Sequence, residues 1–113
     1  MKALPDENLD PRLKNHINSD KLTIEIFSVK DMKWFGLKNG ELLTEAIKER
    51  FDIIISADRQ LKHQQNLPAY NINVIVLKLV KNNFSNQLLK IPELIKIAEK
   101  ISFDKNNTGY FDI

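Results

Sequence analysis

Two short apolar runs constrain this chain more than any other feature: "DIIIS" at residues 52–56 and "NINVIVLKLV" at residues 71–80. A strand with one wet face alternates apolar and polar residues, whereas a strand covered on both faces reads as a nearly continuous apolar stretch. Both runs are therefore expected as strands with helices above and below. The rest of the chain supplies those helices and further strands. "KALP" at residues 2–5 reads as a first strand, followed by a helix over about 11–17. "LTIEIFSV" is β-branched and aromatic, with Leu22, Ile24, Ile26 and Ser28 on one side, and reads as a second strand. After the loop "KDMKWFGLKNG", the run "ELLTEAIKERF" puts Leu42, Leu43, Ala46, Ile47 and Phe51 on one helical stripe. From about Ser85 to Ile101, Ile91, Leu94, Ile95, Ala98 and Ile101 keep helical spacing, and Pro92 either restarts or kinks that helix. The expectation is an α/β fold, three layers α/β/α around a small, mostly parallel sheet.

A chain of 113 residues, 42% hydrophobic, holds one core and not two. Residues 1–102 read as that domain, and 103–113 as a polar tail whose "GYFDI" is either an edge strand or a segment that docks on a partner. The net charge of +2 permits a polyanionic partner without requiring one. With no cysteine, disulfides, thiolate catalysis and Cys-ligated zinc are excluded. The first residues lack the apolar core of a secretory signal, and Lys78 breaks the longest apolar run, so the chain is expected to be soluble and cytoplasmic, with no membrane partner.

In parallel α/β sheets the strand-to-helix loops share one edge, and sites form there. That sorts the acids. Asp10-Pro11 accounts for a helix start, Asp as N-cap and Pro at the first helical position, which leaves Asp6 and Glu7 over. Asp31 follows the second strand, Glu41 opens the next helix and Asp58 follows the third strand, so all five acids are expected to face one crevice. Asp20 and Asp52 fall on the opposite edge. Converging carboxylates repel one another unless a cation compensates them, and a hard divalent ion, Mg²⁺ or Mn²⁺, suits an oxygen donor set. Phosphodiester hydrolysis is the matching reaction class.

Each acid also has a plainer reading. Asp58 could cap the turn "RQLKHQQ", Glu41 complements a helix dipole, Asp31 could begin a solvated loop and Glu7 could face water. His16 and His63 have no second histidine at metal-ligand spacing. Arg12, Lys33, Lys38, Arg59, Lys62 and the run "HQQN" flank the acids and suit phosphates, or simply solvate the surface. Trp34 or Phe35 could stack on a base or belong to the core.

"ALPDENLDPRL" and "GLKNGELLTEAIKERFDIIISADRQL" together resemble the short PIN-like family. There an apolar strand ends in Asp-Glu-Asn-Leu, an acidic residue opens a mid-chain helix, and a later strand ends in Thr-x-Asp. The likeness covers the first two-thirds of the chain, and "QQNL" with "NINVIVLKL" continues it. It implies a metal-dependent ribonuclease, the toxin of a toxin–antitoxin pair, with RNA as substrate and with a small antitoxin or a second copy of the chain as protein partner. Asp6, Asp58 and Glu41 would be the catalytic and metal-holding acids. Glu7, Asn8, Asn39 and Ser56 would support them, and Lys38, Arg59 and Lys62 would bind RNA. Relative to the family pattern, Asn39 replaces a frequent Asp, Ser56 a usual Thr and Gln60 a frequent second acid, which thins the acidic set. Two other readings remain. A receiver-like phosphoacceptor would use Asp6, Glu7 and Asp58, although "VIVLKLVKNN" has no Ser or Thr; a binding module would keep the fold without catalysis.

Overall fold

The isoleucine run forms the middle of the sheet because it has no wet face to spend on polar residues: Ile53, Ile54 and Ile55 are all buried. The computed structural model of the chain describes residues 1–59, 61, 71–104 and 109–113 and, at Asn39, the backbone only. Among them five strands form one sheet: β1 Lys2–Pro5, β2 Glu25–Ile26, β3 Ile53–Ser56, β4 Asn73–Val76 and β5 Tyr110–Asp112. Their order is β2-β1-β3-β4-β5, and every pair is parallel, so the expected "mostly parallel" sheet is wholly so. A 3-10 turn spans Pro11–His16, and the helices are α1 Val29–Met32, α2 Asn39–Lys48, α3 Phe84–Leu89 and α4 Ile91–Phe103.

Side-chain alternation divides the core into two layers. Ala3, Ile53, Ile55, Ile75 and Leu77 pack with Leu13 of the 3-10 turn and with Ile91, Leu94, Ala98 and Ile101 of α4. Leu4, Ile54, Val74 and Val76 pack on the other face against Leu42, Leu43 and Ala46 of α2, with Phe51 beyond it. The architecture is a three-layer α/β/α sandwich.

Three elements differ from the sequence reading, each for a local reason. β2 pairs over two residues instead of eight. Phe27 donates its N–H to the Ala3 carbonyl at 3.1 Å, and the next rung would need an N–H from residue 5, which is proline. The ladder stops there, and the chain leaves the sheet. The expected loop after it contains α1, held by a capping box: the Ser28 hydroxyl accepts from the Asp31 N–H at 3.0 Å, and the Asp31 carboxylate accepts from the Ser28 N–H at 2.8 Å. The first helix is a 3-10 turn, too short to offset α-helix nucleation. Of the two expectations for Pro92, the restart is the one found: α3 ends at Leu89, and Pro92 stands in the first turn of α4, where its missing N–H costs nothing.

Residues 110–112 of the tail make the edge strand β5. Asn73 fastens its entry, since its buried carboxamide accepts from the Gly109 N–H at 2.9 Å and donates to the Asp52 carbonyl at 3.3 Å. No helix among the described residues is long and apolar enough to cross a membrane.

Candidate active site

β1 and β3 are neighbours, with Pro5 opposite Ile55, and the chain moves in opposite directions across the sheet from these two strands. Such a reversal opens a crevice beyond the carboxyl ends of the strands. Asp6 and Asp58 stand there. Asp6 closes the ladder by donating its N–H to the Ile55 carbonyl at 2.9 Å. Two residues on from Leu4, it shares the α2 face of the sheet with Ser56, itself two residues on from Ile54.

Ser56 joins the two acids. It is 0% exposed, its hydroxyl hydrogen-bonds the Asp6 carboxylate, and its Oγ accepts the Asp58 N–H at 3.0 Å. A second donor reaches Asp6 from its own turn, the Asn8 N–H at 2.9 Å from Oδ1. Burial pushes the Asp6 carboxyl up from 3.8 to about 6; the bonds from Ser56 and the Asn8 N–H pull it down, and the charges of Asp58 and Glu7 push it further up. Among the described residues no cation offsets this carboxylate. Tyr110 of β5 joins the same electrostatic group. Its phenol is pushed above its ordinary value first by burial, then by the charges of Asp112 and Asp58.

The other candidate residues are placed as follows. Glu7 is exposed and acts on Asp6 through its charge. Asn8 offers its N–H to Asp6, and its carbonyl accepts from Asn82 Nδ2 at 3.0 Å. Glu41, exposed in the first turn of α2, accepts the Lys38 N–H at 3.4 Å and is absent from the charges that shift Asp6. Asp31 is taken up by the α1 cap and a 3.6 Å ion pair with Lys14, so it does not join the acids in the crevice. Lys38 and Arg59 are exposed, and Arg59 donates to the Leu79 carbonyl at 3.2 Å. Asn39 is the first residue of α2. Lys62, Gln60 and the run from His63 to Asn66 lie outside the described residues. Trp34 packs on Phe51, ring centroids 5.9 Å apart, and belongs to the core.

Among the described residues no three His, Cys, Asp or Glu side chains group closely enough to hold a metal ion between them. The donor set at Asp6 and Asp58 fits the other common arrangement for Mg²⁺ or Mn²⁺, one or two carboxylates completed by water. A recess of about 100 Å³ beside Asp6, walled by Trp34, Leu37 and Leu42, has room for about three waters at ~30 Å³ each.

Sequence reading missed one further anchor. Gln87 of α3 is 2% exposed; its Oε1 accepts the Asp10 N–H at 3.0 Å, and its Nε2 donates to Asn82 at 2.8 Å. With the Asn82 bond to Asn8, it ties the loop after β1 to α3. A lone Gln among apolar helical positions was the available signal. Comparison of the chain with protein-family models, with curated proteins and with solved structures returns no match.

Proposed function

We propose that the chain is a PIN-like, Mg²⁺- or Mn²⁺-dependent ribonuclease acting as the toxin of a toxin–antitoxin pair. The observation that carries this reading is the meeting of Asp6 and Asp58 at Ser56, beyond the ends of adjacent strands. An ion bound there would supply the missing positive charge and polarise a phosphodiester. Asp6 and Asp58 would hold it through oxygen, Ser56 keeping both acids in register. Glu41, at the start of α2, would orient the attacking water or reach the ion through water. Lys38 and Arg59 would bind flanking phosphates, with Lys62 in the same role by its place in the sequence.

The test is cleavage of single-stranded RNA by purified protein with Mn²⁺, stopped by EDTA. Asp58→Asn is expected to lower the rate ~10²–10⁴-fold or more with the fold intact. Expression alone should slow growth, and a cognate antitoxin should relieve it.

One observation favours a second reading, since the order β2-β1-β3-β4-β5 with acids after β1 and β3 also suits a phosphoacceptor domain. Against it, β4 runs into Leu77-Lys78-Leu79, with no hydroxyl residue. Phosphoryl transfer to Asp58 from acetyl phosphate, without RNA cleavage, would establish that reading instead.

A further inference from the structure

The end of β2 at Pro5 leaves a cavity of about 390 Å³ between the loop after β1 and α1, within the range of small-ligand sites. Its walls are largely apolar, with Pro5 and Leu9 on the β1 side and Val29 and Phe35 on the α1 side. Val29 and Leu9 are buried, while Phe35 is 66% exposed, an aromatic face left at the opening. Charged residues of both signs complete the lining: Asp6, Glu7 and Asp10, and the exposed Lys14 and Lys30; the Asp10 carboxylate is held by Arg12 and that of Asp6 by Ser56 and the Asn8 N–H. Among the described residues Lys14 pairs with Asp31, at 3.6 Å with both side chains well exposed, an ion pair weak enough for a phosphate to displace.

We infer that this cavity takes one nucleobase of a single-stranded RNA, stacked on Phe35, with an adjoining phosphate on Lys14 and Lys30. An apolar slot suits a planar ring, and Glu7 at its edge would favour a base carrying an exocyclic amine over an anionic ring. The exposed lysines can hold a negative group attached to that ring, and a nucleotide carries both parts. The inference rests on the ribonuclease reading, because the cavity shares Asp6 with the acidic pair. It goes further in naming where the strand enters and which contact reads a base. Stacking of one base on an aromatic side chain is lost at a cost of about tenfold or more in affinity.

The test is equilibrium binding of a short RNA in Ca²⁺, comparing intact strands with strands lacking one base at each position in turn. In wild type, loss of the base at one position should weaken binding about tenfold. Phe35→Ala, a change at an exposed residue, should weaken the intact strand equally and abolish the difference between intact and abasic strands. Lys30→Glu should weaken both strands alike. A nucleoside 5′-monophosphate should shift the methyl resonances of Leu9 and Val29. If base removal and Phe35→Ala act independently, or those methyls do not move while RNA is still cleaved, the inference is wrong and the ribonuclease reading stands. If the methyls move but no RNA is cleaved, the base site stands and the ribonuclease reading falls. If neither occurs, both are overturned.

Discussion

Replacing Asp6 by Asn should make the metal-free protein more stable at neutral pH. The carboxyl is raised from 3.8 in the unfolded chain to about 6 in the folded one, with burial as the main cause. A group raised on folding favours the protonated state, so its contribution is fully present below pH 3.8 and is lost as pH rises through about 6. Above that, the buried charge costs roughly 3 kcal/mol. Asn is neutral at every pH and keeps an acceptor oxygen for the Asn8 N–H and the Ser56 hydroxyl, so Asp6→Asn should recover about 2–3 kcal/mol at pH 7.5. For a domain of this size that raises Tm by about 10 °C. The assay is thermal and urea denaturation of both proteins in EDTA at pH 7.5 and pH 4. The difference should shrink to about 0.5 kcal/mol at pH 4, where Asp6 of the folded wild type is already protonated; other acids titrate in both proteins and cancel. Mn²⁺ should then stabilise wild type alone, by about 2.7 kcal/mol at a hundredfold excess over Kd, bringing it level with the variant. A variant that is less stable at pH 7.5, or equally shifted at both pH values, would refute the assignment of an uncompensated carboxylate at Asp6.

Three other outcomes are expected. Ser56→Ala should raise the Asp6 pKa above about 6 in an NMR titration, and loss of the bond from the Asp58 N–H to Ser56 should cost about 0.5–1.5 kcal/mol in urea denaturation. Gln87→Leu should cost a similar ~1–3 kcal/mol by stranding the Asp10 N–H, and hydrogen exchange at Asp10 should accelerate. Arg50 sits at φ 61° just past α2, where its N–H bonds Ile47 and the Phe51 N–H bonds Ala46, so Arg50→Gly should stabilise by about 0.5–1 kcal/mol, measured by thermal denaturation.

The strands were legible wherever burial overrode everything else. Ile53–Ile55 and the α2 stripe of Leu42, Leu43 and Ala46 follow from periodicity alone. β2 was over-read because propensity over "LTIEIFSV" carries no information about its partner, and the partner's proline decides where pairing ends. α1 was missed although Ser28 and Asp31 have the spacing of a capping box, a signal outweighed by the surrounding Lys, Trp and Gly residues. Asp6 and Asp58 could be placed at one edge because a residue that follows a strand inherits that strand's position. Their junction at Ser56 could not, since it depends on β1 pairing with β3 in the register that sets Pro5 opposite Ile55. Glu41 shows the converse: its helix-start role was visible in the sequence, and the Lys38 N–H does occupy its carboxylate.

Pro5 gives the opening beside Asp6 a different standing from the side chains around it. The gap is set by a missing backbone donor, so it survives any change in Leu9, Val29 or Phe35 that the core tolerates, and what the gap admits can drift while the gap persists. Restoring an N–H at residue 5 works the other way, offering the Phe27 carbonyl a partner and drawing the two strands together beyond their present end. One backbone atom thus separates the existence of the cavity from the shape and polarity of its walls.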